Sequence, residues 1–260
     1  MEISEVKLAE ILAAHQKWLD DEDTGCQADL HNLNLSGACF KNANLYLANF
    51  AGANLQYADL SGADLSSADL RGANLRRANL CHAKLQGTNL YGACLNNADL
   101  ESIDAIGAIL SFADLDGTTL AHADLKNTNF ASARLNYADL RGAILHRANF
   151  SQADLTNQSK NLEGADFRAT NLAGAKLPED FYQVVGSGKF KRCTTYDRVN
   201  DQIIHGGWIN KGKNTIEAFK ERIKNAYEAE GKIFGPRYFA EYLAAIQYFE
   251  AIRGQKLKED

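Results

Sequence analysis

The chain of 260 residues has only two prolines, and no run approaches the ~18 consecutive apolar residues of a membrane-spanning helix. Its five cysteines are an odd number with no CxxC pair, which speaks against a disulfide framework. A reducing, cytoplasmic setting is the expectation. The start, Met1-Glu2-Ile3-Ser4-Glu5, is acidic and lacks the basic flank and apolar run of a signal peptide. The six histidines are scattered, with no HxxxH or HExxH spacing that would build a zinc site. Hydrophobic content of 45% with so little proline also argues against disorder.

Between Gln27 and Leu177 helical periodicity is missing as well. From residue 30 to residue 155 every fifth position is Leu or Phe, 25 times in 26, with Ala105 the exception. Two positions earlier in each unit stands Ala, 21 times in 26; the others are Leu33, Thr88, Ile103, Thr118 and Thr128. Leucines five apart drift by about 140° per step around a helix, so no apolar stripe forms. Recurrent Asn, Asp and Gly oppose a helix too. The period suits a chain that turns repeatedly, with the Leu and the Ala inward and three residues outward. The Asn or Asp of each unit is expected to bond to backbone at the turn. Fixed-period repeats of this kind are the signature of solenoids.

Units such as Ala68-Asp69-Leu70-Arg71-Gly72 and Ala138-Asp139-Leu140-Arg141-Gly142 resemble the A(D/N)LXX consensus of the pentapeptide repeat family. That resemblance implies an all-β solenoid, a right-handed quadrilateral β-helix with four units per coil. Residues four units apart then stack, as in the column Leu70, Leu90, Leu110, Phe130 and Phe150. Counting four further units to Leu177, the rod has about 7.5 coils and is roughly 36 Å long.

Three segments are expected. Residues 1–26 read as an N-terminal capping helix with an acidic linker. Its apolar face is Leu8, Ile11, Leu12, His15, Trp18 and Leu19, with Ser4 as N-cap and Gly25 in the turn. Residues 27–177 are the repeat. Ile103 and Ala105 roughly exchange volumes, which predicts local repacking, with a hydrophobic cavity the alternative. The step from Leu155 to Leu162 inserts two residues and predicts a bulged corner. Residues 178–260 read as a C-terminal α+β appendage. Strands are expected at 181–185, 193–196 and 202–205, the first continuing the β-helix, and helices at 214–230 and after Pro236. It resembles the uncharacterised segment that follows such repeats in bacterial and phage proteins, a likeness that implies no activity. The last helix is expected to cap the end or to pair two copies as a homodimer.

No catalytic, cofactor-binding or metal residues are expected. Gly186-Ser187-Gly188-Lys189 lacks the GxxxxGK[ST] spacing and has Phe190 where Ser or Thr should bind magnesium. His205 and Cys193 have no orienting partner, and Gly206-Gly207-Trp208 reads as a turn before a core Trp. An enzyme seated in residues 178–260 would need a pocket around His205 or Cys193. Charge weighs on the remaining readings. Family members that confer quinolone resistance bind DNA gyrase by imitating acidic DNA, which needs a dense negative field. Residues 27–177 carry 12 Lys/Arg against 14 Asp/Glu and are nearly neutral, although Asp59, Asp99 and Asp139 share one column. The candidate protein-contact patch is instead Tyr57, Arg71, Arg76 and Arg77, with Tyr57 one coil before Arg77. It is too small for direct nucleic-acid binding. The expected role is a non-enzymatic scaffold for an unidentified protein partner, without membrane association; gyrase-directed DNA mimicry is the alternative.

Overall fold

The computed structural model describes residues 4–21, 23–157, 162, 165–167 and 170–177. It also describes the backbone of three strands and residues 216–217, 220–221, 246–247 and 249–250. Within the repeat, each unit is a short extended piece followed by a tight turn. Ala38 N–H donates to the Leu35 carbonyl at 3.0 Å, and Ala58 N–H to Leu55 at 3.1 Å, closing four-residue turns. The third residue of each turn is left-handed, with φ of 71° at Gly37, 59° at Tyr57 and 57° at Arg77. The second is not, which defines a type II turn. The expected Asx bonds are present: Ser61 N–H donates to Asp59 Oδ1 at 3.0 Å, and Arg71 N–H to Asp69 Oδ1 at 3.1 Å.

Four such units return the chain to the same face. Asn49 pairs in parallel with Asp69, Asp69 with Asn89, and Asn89 with Ile109, one full coil each time. Leu70 N–H reaches the Asn89 carbonyl at 2.7 Å, and Asn89 N–H reaches the Ala68 carbonyl at 3.0 Å. Extended backbone has to pair with a neighbour, and here the neighbour is always the adjacent coil. The interior is filled by the two inward residues of each unit. Leu70, Leu90, Leu110, Phe130 and Phe150 have no exposure. The rings of Phe130 and Phe150 stack at 4.6 Å with an 11° tilt. Burial of each Leu or Phe contributes about 1.5–3 kcal/mol. Thr in the Ala slot keeps its hydroxyl satisfied: Thr88 Oγ1 donates to the Leu65 carbonyl at 2.7 Å and Thr128 Oγ1 to Ala105 at 2.8 Å. Ile103 and Ala105 are both buried in the same core.

Helix α1 spans Glu5–Asp20, and the side chain of its N-cap Ser4 accepts from Lys7 N–H at 3.2 Å. Leu8, Ile11 and Leu12 pack against the core of the solenoid. His15 is wholly buried. Its Nδ1 accepts from Ala28 N–H at 3.0 Å, and its ring stacks on Trp18 at 5.7 Å. A Cβ on Gly25 would overlap the Ala14 carbonyl oxygen and the Trp18 amide nitrogen. Gly25 is therefore where the chain passes hard against α1, and only glycine fits there.

At the far end the register changes. Arg134 pairs with Asp154 one regular coil later, whereas Ile144 pairs with Asp166, two positions beyond the regular partner. The two extra residues fall after Asn157; residues 158–161, where the bulge is expected, lie outside the described residues. Beyond the repeat, β1 (Phe181–Ser187), β2 (Arg192–Asp197) and β3 (Gln202–His205) form an antiparallel sheet in that order. The pairing described for β1 is with β2, in a hairpin, where continuation of the solenoid was expected. Short connections favour antiparallel neighbours. Of the two expected helices only a few residues are described. Ile216, Ile246 and Phe249 are buried. Lys220 Nζ meets Glu250 Oε1 at 3.0 Å. No described helix is long and apolar enough to cross a membrane.

Candidate protein-contact surface

With the interior of the repeat filled, most of its polar side chains lie on the outside of the square. The four residues expected to form one patch lie on two corners. Tyr57 and Arg77 share a column, and the Arg77 guanidinium lies over the Tyr57 ring, 6.0 Å from its centroid. A contact of this kind at an exposed site is worth about 0.5–1 kcal/mol. Arg76 leaves the same corner along the rod, and its Nε donates to Asn96 Oδ1 at 3.1 Å. Arg71 stands on the preceding corner, one side of the square away. It is clamped to Asp69, with Nε to Oδ1 at 2.9 Å and an outer nitrogen to Oδ2 at 2.6 Å. Bidentate pairing of this kind is already satisfied and leaves Arg71 little to offer a partner.

The same clamp recurs at Arg141 and Asp139, at 2.8 and 2.5 Å. Lys84 pairs with Asp64 at 3.3 Å and Lys126 with Asp124 at 2.6 Å. Lys176 pairs with Asp154 at 3.0 Å, and Arg134 with Asp116. The Arg71 hydrogen bond holds the Asp69 carboxyl below its usual value, and Arg141 does the same for Asp139. In the column Asp59, Asp99 and Asp139, Asn79 and Thr119 occupy the intervening coils. The acidic groups are thus diluted in that column and, at Asp139, neutralised.

One cluster has the donor set of a metal site. Cys81 Sγ and carboxylate oxygens of Asp99 and Glu101 lie within 4.8 Å of one another. Partial burial, then Asp99 and Glu101, push the Cys81 thiol up. Four cysteines, Cys26, Cys39, Cys81 and Cys94, are free thiols. The side chains of Cys193 and His205 lie outside the described residues, as do Gly188, Lys189 and the Gly206-Gly207-Trp208 turn.

A second surface feature has no counterpart among the residues singled out from the sequence. Tyr91 (49% exposed) and Phe112 (59%) form an aromatic pair in solvent, with centroids 5.4 Å apart. Ile109 (37% exposed) pairs with Asn89, two positions before Tyr91, in a slot that Asn or Asp fills in most units. The signal available in the sequence was Ile109 itself. Phe112 lies one coil plus one position beyond Tyr91, and a search along columns in strict register passes over that diagonal.

The repeat, its turns and its register define a class of square β-solenoids built from five-residue units. The sequence model of pentapeptide repeats matches in eight copies, over residues 28–66, 63–101, 83–120, 108–147 and 123–157. The chain belongs to the pentapeptide repeat family, and its coils take that family's right-handed quadrilateral form. Among solved structures it is similar to a pentapeptide repeat protein of the Arabidopsis thaliana thylakoid lumen, at 32% identity and TM-score 0.28. That match covers 38% of this chain and 66% of that one. HetL, involved in heterocyst differentiation regulation in the cyanobacterium Nostoc sp. strain PCC 7120, is 31% identical. The match covers 58% of this chain and 77% of HetL, at TM-score 0.29. QnrB1, a plasmid-mediated fluoroquinolone resistance protein, is 22% identical over 59% of this chain and 87% of its own, at TM-score 0.32. At these TM-scores the likenesses carry no argument of their own, and the family rests on the repeat. No curated protein matches significantly.

Proposed function

We propose that the protein is a non-enzymatic scaffold, a rigid rod whose flat outer faces engage a protein partner. The observation that carries this reading is the filled interior. Each coil commits its inward residues, Leu or Phe with mostly Ala, to the core, so most polar groups of the repeat point apart on its outer surface. Catalysis needs convergence, and where described polar groups do meet, as at Cys81, Asp99 and Glu101, they do so on the outer surface. The free thiols fit a reducing compartment, and on that ground we assign the protein to the cytoplasm.

Affinity purification on the full chain tests the proposal. The expected result is a stoichiometric protein partner that rebinds when both proteins are pure. Retention of small-molecule turnover activity by the pure chain, with no rebinding partner, would overturn it. The alternative, imitation of DNA toward gyrase, draws on the family and on QnrB1. The paired carboxylates oppose it: DNA presents one negative charge per ~1.7 Å of axis, whereas here Asp69, Asp139, Asp64, Asp124 and Asp154 each hold a cation. A supercoiling assay with excess protein is expected to leave gyrase unaffected, and inhibition would favour the alternative. Pairing of two copies through the last helix is tested by light scattering at two concentrations. Ile246 and Phe249 of that helix are already buried within one copy.

A further inference from the structure

On the scaffold reading, one face stands apart from the other three. Its outward positions, in order along the rod, are Asp29, Asn49, Asp69, Asn89, Ile109, Asn129, Asn149 and Asn171. Two of them are charged: Asp69 is cancelled by Arg71, and Asp29 lies in the first coil, four coils from Ile109. The neighbouring faces carry charged rows, such as Asp64, Lys84, Asp104 and Asp124 on one and Asp114, Arg134 and Asp154 on another.

Along these faces several Asn amides donate to the residue one coil earlier. Asn49 Nδ2 donates to Asp29 at 2.8 Å, Asn149 to Asn129 at 3.0 Å, and Asn171 to Asn149 at 2.8 Å. Ile109 interrupts this ladder. One coil later, Asn129 Nδ2 finds an aliphatic side chain where an acceptor should stand. One coil before Asn89 stands Asp69, whose oxygens are committed to Arg71. Among the described residues, neither the Asn89 nor the Asn129 NH2 group has a hydrogen-bond partner, and neither residue's carbonyl is idle. Asn89 Oδ1 accepts from Tyr91 N–H at 3.1 Å, and Asn129 Oδ1 accepts from Ala131 N–H at 3.1 Å. Two outward donors therefore straddle an exposed Ile, with the Tyr91–Phe112 pair on the turns that follow Asn89 and Ile109.

We infer that this face docks an extended, uncharged peptide segment of a partner protein, lying along the rod. Its backbone carbonyls accept from Asn89 and Asn129, and its apolar side chains cover Ile109 and the Tyr91–Phe112 pair. The two amides are two coils apart, about 10 Å, which three extended residues span. Donors facing outward call for an acceptor-bearing occupant. The absence of net charge on this face near Ile109 removes any attraction for an acidic or basic one. An aromatic centre with an amide rim is the usual anatomy of a protein-contact hot spot. A second copy of this chain fits less well. A stable dimer needs about 800 Å² from each partner, and this patch is three side chains on two coils.

The test uses the full chain as bait for a phage-displayed random peptide library, followed by titration of the selected synthetic peptides. Ile109→Asn restores the amide ladder and is expected to unfold no more easily than the parent, so its effect on binding is not an effect on folding. Selected peptides are expected to be uncharged and apolar-rich. They should lose at least tenfold in affinity to Ile109→Asn and to Phe112→Ser, and none to Tyr57→Ser or Arg76→Ser. Peptides that bind Ile109→Asn undiminished, or that lose binding with Tyr57→Ser or Arg76→Ser, overturn this face and leave the scaffold reading standing. A dimer in sedimentation that Ile109→Asn dissociates overturns the peptide as occupant. Failure of the parent to retain any peptide on any face overturns the inference and counts against the scaffold reading as well.

Discussion

Many Asn and Asp residues of the repeat hold their turn through a side-chain oxygen, and some, such as Asn49, Asn54 and Asn149, also reach the neighbouring coil through the amide. Asp139 shows the first role with an ion pair added: Oδ1 accepts from Arg141 N–H at 3.1 Å while the Arg141 guanidinium clamps the carboxylate. Asp139→Asn keeps the turn and removes the ion pair. Its expected cost is small, about 0.2–1 kcal/mol, because Arg141 is largely exposed. Chemical denaturation at pH 7 checks that figure. The direction with pH follows from the Asp carboxyls, which are held below their usual value. Their contribution is complete above the ordinary Asp value near 3.9 and is lost as pH falls through the lowered native values. The denaturation midpoint should therefore hold down to about pH 4 and drop below it, and the drop should be shallower in Asp139→Asn. A midpoint that rose on acidification would contradict the pairing.

At the scale of the element, α1 is tied to the first coil by one imidazole. Burial lowers the His15 pKa, opposed by the nearby Tyr46 backbone. The neutral ring accepts from Ala28 N–H, and its Nε2 is buried without a hydrogen-bond partner. Protonation would place a proton on the accepting nitrogen or a charge in an apolar seam. The unfolded histidine takes up its proton near pH 6.5, and the docked one only at lower pH. Docking free energy from His15 is thus complete above about pH 6.5 and diminishes as pH falls through that value. The expected outcome is loss of Trp18 emission intensity and of helical circular dichroism between pH 7 and 5, with the repeat still folded. His15→Phe should abolish that pH dependence. Gly25→Ala should loosen α1 at every pH, since its Cβ would meet α1 backbone; limited proteolysis on the N-terminal side of Gln27 reads it out.

For the whole molecule, stability is a sum of coil-on-coil contacts with no closed core apart from them. Leu90→Ala in the middle of the rod opens a cavity between two coils and is expected to cost about 2–5 kcal/mol. Amide exchange should be slowest in the central coils and faster toward the Leu155–Leu162 insertion, where the register changes. Uniform protection along the rod would show a single cooperative unit and refute the nearest-neighbour account. The candidate surface belongs to this scale too. The Tyr57–Arg77 contact was legible as a spacing of one coil. The separation of Arg71 was not, because a single unit carries the chain around a corner and turns sequence neighbours to different faces. The Tyr91–Phe112 pair was hidden for the converse reason, since it joins two coils across a diagonal.

The period of five, with Leu and Ala at constant places, was sufficient by itself to define the solenoid, its inward residues and its Asx turns. Those features follow from local steric and hydrogen-bonding preferences repeated without interruption. Which outward groups satisfy one another and which remain free was decided only by stacking. Arg71 bends back to Asp69 two positions away, and Ile109 leaves Asn129 one coil later without an acceptor. Both depend on side-chain reach across the surface, within a turn or over the spacing of about 4.8 Å between coils, and that reach is not contained in the order of residues.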